Sequence, residues 1–339
     1  MTSASLDRLL AILLLGSAAT GLLTLRAGSP GEAWVFVVHS LAGGVLLVAV
    51  GAKLVRSVPR AVRAGRRRRL ALGALLTALT LGSIVAGFAS VASGSLIVIG
   101  PWTLVTWHVV AGIGLAAILA LHLLPRRWRL LRPGRAWVVG RPGGPGLSRR
   151  GFLVASLFGV AGTALWAGAN ALDQAVGGVR RFTGSRWLPA GGIPPATTFF
   201  GEGPPAVDPA AWRVRVHGAG RSPATYDLTG LAALGVERRT AVLDCTSGWA
   251  IETDWEGVAL GRLLAVAEAV PMARRVLVRS ATGWTASLGL EEAAGCLLAT
   301  AVAGAPLPLA NGSPVRLVVP GRRGLDWVKW VDEIEVRTD

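Results

Sequence analysis

The sequence is poor in acidic residues, cysteine and histidine, and these shortages narrow its class. Among 339 residues there are 19 acidic side chains against 35 basic ones, with two cysteines and four histidines. Charged residues make up only 16% of the chain, whereas hydrophobic residues make up 52% and the mean hydropathy is +0.53. This balance is too apolar for a soluble protein, and the long charge-free runs indicate membrane spans. The two cysteines, Cys245 and Cys296, allow a single disulfide within the chain, in an oxidising compartment.

The excess of positive charge is confined to two clusters between apolar runs. Eight basic residues in each cluster account for the net charge of +16. Their placement is typical of cytoplasmic loops under the positive-inside rule, so we expect no nucleic-acid partner. The first cluster is Lys53, Arg56, Arg60, Arg63, Arg66, Arg67, Arg68 and Arg69, and the second is Arg126, Arg127, Arg129, Arg132, Arg135, Arg141, Arg149 and Arg150.

Five apolar runs approach or exceed the roughly 20 residues that a helix needs to cross a bilayer. They cover residues 9–25, 34–55, 70–88, 102–124 and 151–175. We therefore predict a four-span helical membrane domain at 1–125, a basic cytoplasmic linker at 126–150, a fifth span at 151–175 and an outer domain at 176–339. The expected location is the plasma membrane, with the N-terminus inside and the outer domain on the extracytoplasmic side.

The fifth span follows a pattern that resembles a twin-arginine export signal. Residues 148–153 are Ser-Arg-Arg-Gly-Phe-Leu and lead directly into the apolar run. The alternative is that Arg149 and Arg150 are two further positive-inside residues. Under either interpretation, the residues after the span lie outside.

Two histidines within predicted spans have matching positions, and ionisable residues there are costly and usually functional. His39 follows Trp34 by five residues and His108 follows Trp102 by six. If both tryptophans lie at the outer interface, both imidazoles lie at nearly equal depth. Equal depth on neighbouring helices is what a bis-histidine b-type haem requires. The alternative is a polar interhelical hydrogen bond.

The ligands for a second haem are incomplete. His122 lies fourteen residues after His108, on nearly the same helix face and about 21 Å deeper. The equivalent position after His39 is Lys53, so we predict one outer haem and keep His122 as a weaker candidate ligand. His217, beside a glycine at the end of a predicted strand, is expected to be structural.

The C-terminal half mixes short strand-like and helix-like segments, which is typical of an α+β domain. The apolar run 240–243 predicts a buried strand that gives way to a Thr-Ser-Gly loop at Cys245. A thiol there suits a nucleophile, a metal ligand or half of a disulfide, and the alternative is a small buried hydrophobic residue. Cys296 lies in an apolar run, where we expect it to serve packing.

Two further motifs follow Cys245. Residues 311–321 are Asn-Gly-Ser-Pro-Val-Arg-Leu-Val-Val-Pro-Gly, and residues 327–331 are Trp-Val-Lys-Trp-Val. Together these features resemble the sulfite oxidase family of molybdopterin enzymes, which includes periplasmic methionine sulfoxide reductases. The resemblance covers about residues 195 to 339. It implies a sulfite oxidase-type molybdopterin-binding fold, a Mo-molybdopterin cofactor and Cys245 as the molybdenum ligand. A disulfide between Cys245 and Cys296 would prevent Cys245 from binding the metal, so we do not expect one.

The same resemblance implies a set of pterin contacts. Arg316 suits the pterin phosphate because a guanidinium binds phosphate through two hydrogen bonds. Thr197 stands where the family has an asparagine, three residues before an aromatic, and the match of Ser280 is loose. The expected cofactor-binding residues are Asn311, Arg316, Trp327, Val328, Lys329, Ser280, Thr197 and Phe200.

The loop after Cys245 bears on the substrate. Sulfite oxidases have an arginine-containing stretch there, whereas Thr-Ser-Gly-Trp is similar to the sulfoxide reductase pattern. We therefore predict oxygen-atom transfer by a membrane-bound, molybdenum-dependent oxidoreductase, with reduction of a small S-oxide or N-oxide favoured. Electrons would pass through the haem b, exchanged with a quinone or another redox protein. Arg322 and Arg323 leave an anion pocket open, so the alternatives are a sulfite dehydrogenase and a non-catalytic membrane-anchored scaffold.

Overall fold

The computed structural model describes residues 3–65, 67–123, 149–197, 202–219, 223–266 and 273–339. They form two compact units, of which unit 1 comprises residues 1–24 and 31–184, and unit 2 comprises residues 25–30 and 185–339. The predicted start of the outer domain, residue 176, falls shortly before this division. The predicted basic linker lies outside the described residues as far as residue 148.

Unit 1 is built from long helices at the positions of the predicted spans. Four described helices are long and apolar enough to cross a membrane, and a further stretch, Leu104–Ile118, is apolar but shorter. The second helix continues past the predicted end of its span into the first basic cluster, because lysine and arginine favour helices. The helices are α1 (Ser3–Thr24), α2 (Ala33–Arg63), α3 (Arg67–Ala92), α4 (Leu104–Leu123) and α5 (Arg149–Ala175).

The fourth helix begins later than predicted. Trp102 and Thr103 form strand β2, which pairs with β1 (Val98–Ile99) in a short antiparallel hairpin. Gly100 in the turn has a φ of +61°, which glycine adopts at no steric cost. Helix α4 therefore starts directly after the hairpin.

Helix α5 packs against α2 and α3 within unit 1. Helices α2 and α5 approach closely at Gly44 and Gly162. A Cβ atom on Gly44 would lie 2.6 Å from the carbonyl oxygen of Gly162. Small residues allow this approach of two helix backbones.

Gly44→Ala should lower the thermal unfolding midpoint of the detergent-solubilised protein, because the added methyl group overlaps the Gly162 carbonyl. Overpacking of this kind costs about 1–3 kcal/mol. Gly43→Ala is the matched control, because nothing lies within 4 Å of a Cβ built at Gly43. Equal midpoints for the two variants would contradict the contact.

Unit 2 contains two β-sheets connected by short helices, which confirms the predicted α+β architecture. In the six-stranded sheet, β6 and β10 both pair antiparallel with β7, and β3 pairs parallel with it. The strands of this sheet are β3 (Arg186–Trp187), β6 (Val236–Cys245), β7 (Trp249–Ala259), β10 (Leu297–Val302), β11 (Ala305–Pro306) and β12 (Arg316–Val318).

The five-stranded sheet has the order β5-β4-β13-β8-β9, in which only the β4–β13 pair is parallel. Its strands are β4 (Val214–Gly218), β5 (Ala224–Tyr226), β8 (Arg275–Ser280), β9 (Thr285–Gly289) and β13 (Val331–Arg337). The short helices of unit 2 are α6 (Leu228–Ala233), α7 (Leu260–Val266) and α8 (Leu290–Ala294). Four tryptophans are fully buried in the core: Trp249, Trp255, Trp327 and Trp330.

One local expectation was wrong. The sequence around Trp255 suggests a turn into a helix, but β7 continues to Ala259 and α7 begins only at Leu260. Pairing with β10 overrides the local preference. Gly257 makes this pairing possible, since a Cβ atom there would lie 2.0 Å from the carbonyl oxygen of Leu298.

Candidate functional sites

A cleft of about 580 Å³ in unit 2 brings together five of the residues predicted from the sequence. The five predicted residues that line the cleft wall are Thr197, Cys245, Arg316, Trp327 and Lys329.

Cys245 lies at the end of β6 and is half-buried. Its Sγ atom is 3.2 Å from the Thr197 hydroxyl oxygen and accepts a hydrogen bond from the backbone N–H of Ser247 at 3.4 Å. Gly248 has a φ of +89° and returns the chain into β7. The strand end and the tight turn together hold the thiol at the cleft surface.

Both cysteines are free thiols, and only Cys245 reaches the cleft. Cys296 is buried just before β10, where its thiol donates to the carbonyl of Glu292 at 3.3 Å. Burial, together with the Glu292 carboxylate, raises the pKa of Cys296 to about 12. A neutral buried thiol of this kind serves packing.

Arg316, at the start of β12, is a buried cation. Its guanidinium lies 5.5 Å from the ring centroid of Trp255 and 5.8 Å from that of Trp327. One terminal nitrogen donates to the carbonyl of Asn311 at 2.8 Å, whereas the buried Nε has no hydrogen-bond partner among the described residues. Burial lowers the pKa of Arg316 to about 10, and the nearby Cys245 opposes this effect. The side chain therefore remains a cation that is only partly satisfied.

Lys329 is the second cation of the cleft. Its Nζ donates to the carbonyls of Thr197 at 2.7 Å and Ala310 at 2.8 Å. Burial lowers the pKa of Lys329 to about 8, with a further contribution from Arg316. Two neighbouring cations, one of which lowers the pKa of the other, make a site that favours an anion.

The backbone around Lys329 depends on two left-handed residues. Gly312 has a φ of +111°, and a Cβ atom there would lie 3.0 Å from Cα of Lys329. Trp330 has a φ of +51°, which is unusual for a bulky residue. Its indole N–H donates to the carbonyl of Leu309 at 2.9 Å, and its backbone N–H donates to Gly312 at 3.2 Å.

Three predicted contact residues support the cleft without lining it. The Asn311 amide donates to the carbonyl of Pro194 at 2.9 Å, and the carbonyl of Val328 accepts from Leu317 at 2.8 Å. Ser280 is buried and lies 2.9 Å from the hydroxyl of Thr282. Phe200 lies outside the described residues.

The cleft is also lined by residues that no sequence motif indicates. Thr282 and Trp284 come from the β8–β9 turn, and Glu202 accepts a hydrogen bond from the Thr282 hydroxyl at 2.5 Å. Glu202 follows a Pro/Gly-rich stretch with no recognisable motif. Trp249, the last residue of the Thr-Ser-Gly-Trp loop after Cys245, also contributes to the cleft wall.

Arg322 and Arg323 do not line the cleft, so the anion pocket that they left open in the sequence is not formed by them. Arg322 pairs with Glu292 at 2.5 Å and with Asp326 at 3.3 Å. Arg323 is buried and pairs with Asp244 at 3.2 Å. Neighbouring carboxylates therefore draw both guanidinium groups away from the cleft.

Unit 1 contains a second arrangement, the pair formed by His39 on α2 and His108 on α4. Their Nε2 atoms are 3.5 Å apart, and the ring planes are nearly perpendicular at 84°. Two glycines face the rings. A Cβ atom on Gly21 would lie 3.1 Å from His39, and one on Gly87 would lie 3.0 Å from His108.

The hydrogen bonds of the two imidazoles determine their tautomers. The Nδ1 of His108 is 2.7 Å from the carbonyl oxygen of Ser83. The Nδ1 of His39 is 3.0 Å from the Thr20 hydroxyl oxygen, and that hydroxyl donates to the carbonyl of Gly16 at 2.8 Å. Because a carbonyl can only accept and the Thr20 hydroxyl already uses its proton, both Nδ1 atoms carry the proton. The two Nε2 lone pairs therefore point towards each other.

Comparisons with known proteins identify the class of unit 2. Residues 201–339 match the family model of the oxidoreductase molybdopterin binding domain. The C-terminal domain is therefore that of a molybdenum-dependent oxidoreductase. The domain is similar to the catalytic subunit MsrP of protein-methionine-sulfoxide reductases, which confirms the resemblance noted in the sequence.

Two curated relatives carry the name protein-methionine-sulfoxide reductase catalytic subunit MsrP. The protein from Burkholderia mallei is 33% identical over 144 residues, which cover 37% of this chain and 44% of that protein. The protein from Ralstonia nicotianae is 29% identical over 230 residues, which cover 55% and 67% of the two chains. The chain thus spans less than half the length of the Burkholderia relative.

One solved structure is also similar. The sulfane dehydrogenase SoxCD from Paracoccus pantotrophus is 25% identical, with a TM-score of 0.39, and the match covers 40% of this chain and 41% of that one.

The cleft residues fit a molybdopterin. A thiolate is a soft ligand that suits a transition metal, and a coordinated thiol is deprotonated. The two cations and the unpartnered Nε of Arg316 suit the phosphate of the pterin. Arg316, Lys329 and Cys245 would therefore hold the cofactor.

Sulfate should stabilise the cofactor-free chain against thermal unfolding, and more strongly at about pH 7 than at about pH 9. Lys329 has a pKa of about 8 in the folded site, so it loses its charge across this range, whereas sulfate stays dianionic. Lys329→Met should give a smaller stabilisation without the pH dependence. Arg322→Lys, which lies outside the cleft, should behave as the wild type. Equal or greater stabilisation at pH 9 in the wild type would contradict the assignment.

Proposed function

We propose that this protein is a membrane-bound, molybdenum-dependent reductase of organic S-oxides that uses Cys245 as the protein ligand to molybdenum. The observation that carries the proposal is the convergence of the Cys245 thiol with the buried Arg316 and the half-buried Lys329 on one cleft. Packing alone does not require a thiol and two cations in one cleft. The names of the MsrP relatives support an S-oxide as the substrate.

The reaction consumes an S-oxide, two electrons and two protons, and it yields the sulfide and water. When bound, the molybdenum cofactor supplies two-electron oxygen-atom transfer, while the protein binds and orients it. Cys245 would hold the metal at the end of β6. Arg316 and Lys329 would bind the phosphate, and Asn311 would keep Arg316 in place through its carbonyl.

The composition of the cleft favours a neutral substrate over sulfite. Both of its described cations, Arg316 and Lys329, are committed to the pterin in this proposal, and the Glu202 carboxylate would repel an anion. The exposed ring of Trp284 offers an apolar surface, and sulfur makes favourable contacts with aromatic rings. An S-oxide is therefore favoured over a sulfite dehydrogenase activity.

We also propose that His39 and His108 bind one b-type haem, which supplies the electrons. The two inward-facing lone pairs repel each other unless a cation lies between them. The two Nε2 atoms, 3.5 Å apart on two helices, would hold the haem iron. Gly21 and Gly87 let the imidazoles lie close against the neighbouring helices, because a Cβ atom at either position would crowd the ring. A quinone or another redox protein would exchange electrons with this haem.

The inner end of α2 supports a single haem. Lys53 occupies the position where a second ligand on α2 is required, and its ammonium pairs with Asp7 of α1. Lys53 therefore provides no imidazole at this position of α2, and the side chain of His122 lies outside the described residues.

The proposed location is the plasma membrane, with the catalytic domain on the extracytoplasmic side. The four apolar helices and the basic cluster at the end of α2 support this orientation under the positive-inside rule. Arg149 and Arg150, at the start of α5, would act as a twin-arginine export signal.

Changing both arginines to lysine tests this role. The catalytic domain should then be protected from protease added outside the cell, and unchanged accessibility would contradict the role.

Replacing Cys245 tests the molybdenum assignment. Cys245→Ser should lower the rate of methionine sulfoxide reduction with a reduced dye by more than the roughly 10- to 100-fold that outer-shell changes cost. Cys296→Ser is the control and should retain activity, because this thiol is buried away from the cleft. Full activity of the Cys245→Ser variant would contradict the proposal.

The same assay separates the rival functions. The wild type should reduce S-oxides and should not oxidise sulfite with an oxidised dye. Sulfite oxidation without S-oxide reduction would favour a sulfite dehydrogenase. A wild-type protein that contains no molybdenum would favour a non-catalytic scaffold.

The haem assignment predicts one haem per chain. His39→Ala and His108→Ala should each remove the reduced-minus-oxidised haem spectrum, since each variant deletes one of the two residues that would hold the iron. His122→Ala should keep the spectrum and serves as the control. Wild-type protein without haem, or haem that survives in His39→Ala, would contradict the assignment.

A further inference from the structure

A buried polar network lies behind Cys245, on the side away from the cleft. One terminal nitrogen of Arg323 donates to the Asp244 carboxylate at 3.2 Å, to the Ser185 hydroxyl oxygen at 3.2 Å and to the Cys245 carbonyl at 2.9 Å. The Ser185 hydroxyl donates to the same Asp244 carboxylate at 2.7 Å. The network thus joins three chain segments, which contain Ser185, the pair Asp244–Cys245 and Arg323.

The members of this network are buried almost completely. The Asp244 side chain is 0% exposed and that of Arg323 is 5% exposed. Burying an ion pair carries a large desolvation penalty, so its geometry has to be good to recover that cost. Hydrophobic residues would stabilise the same position as well, which points to a role other than stability.

The carbonyl of Cys245 receives two donors. The backbone N–H of Gly248 donates to it at 3.0 Å across the turn, and Arg323 donates from the other side. The next residue, Gly324, allows the close approach, because a Cβ atom there would lie 3.3 Å from the carbonyl oxygen of Asp244. Two donors on one carbonyl fix the plane of the peptide that follows Cys245.

We propose that Arg323 is a positioning residue that fixes the direction of the Cys245 side chain towards the molybdenum. This inference rests on the proposed function of Cys245. The peptide plane sets the direction of the Cα–Cβ bond, and that direction sets where the sulfur lies in the cleft. Asp244 neutralises Arg323, so the effect is one of geometry and not of charge.

The test compares two neighbouring arginines in the full-length, molybdenum-loaded protein. Arg323→Lys keeps the charge, but the lysine side chain is about one bond shorter, so its ammonium does not reach the position of the nitrogen that makes the three contacts. Arg322→Lys is the matched control, since Arg322 pairs with Glu292 and Asp326 and does not contact Cys245. The readouts are molybdenum content, the Mo(V) electron paramagnetic resonance spectrum and the separate values of kcat and KM.

Arg323→Lys should retain molybdenum, alter the g-values of the Mo(V) signal and lower kcat by about 10- to 100-fold at unchanged KM. Arg322→Lys should match the wild type in all readouts. A wild-type spectrum and kcat in Arg323→Lys, or the same change in both variants, would overturn the inference.

Ser185→Ala provides a milder perturbation, because it removes one partner and leaves the ion pair intact. If Arg323→Lys does not fold, a changed Mo(V) spectrum in Ser185→Ala supports the inference and an unchanged spectrum overturns it. Failure of the proposed function has a different signature, namely no molybdenum in the wild type. A Mo(V) signal in the wild type that is insensitive to Arg323 and Ser185 overturns only the positioning role.

Discussion

The candidate site in unit 2 depends on holding two cations, Arg316 and Lys329, and the Cys245 thiol at the wall of one cleft. Arg316 and Lys329 are withdrawn from water, and burial lowers the pKa of each. Such a site is costly without an anion and becomes favourable when one binds. The tryptophans that surround Arg316 supply the apolar walls that make the cations effective. The cleft is thus prepared for a phosphate-bearing cofactor before the cofactor arrives.

The two units use the same physical device for different centres. In unit 2 a strand end and a buried network orient a thiol, and in unit 1 hydrogen bonds to Nδ1 orient two imidazoles. In both places the atoms proposed to bind metal are held by partners that themselves bind no metal, as is usual for outer-shell residues. The proposed two-electron chemistry at Cys245 and the proposed one-electron centre at His39 and His108 would together make the chain a single electron-transfer protein.

Sequence reasoning found the residues that carry distinctive chemistry or regular spacing. Cys245, Arg316 and Lys329 stand in long motifs, and His39 and His108 could be paired because helices have a fixed rise per residue. Glu202 and Trp284 escaped notice because they reach the cleft from loops with no motif. Arg322 and Arg323 stayed open as an anion pocket, because a sequence does not reveal that Glu292 and Asp244 hold them away from the cleft. The turn expected at Trp255 is part of β7, and the helix that follows begins at Leu260.

The most direct test of the central claim is to count the sulfur atoms bound to molybdenum. X-ray absorption at the molybdenum edge should show one fewer Mo–S contact in Cys245→Ser than in the wild type, while Cys296→Ser should match the wild type. That result would make Cys245 the protein ligand of an intact molybdenum centre. An unchanged number of Mo–S contacts in Cys245→Ser would show that another group binds the metal, and the account of this cleft would be wrong.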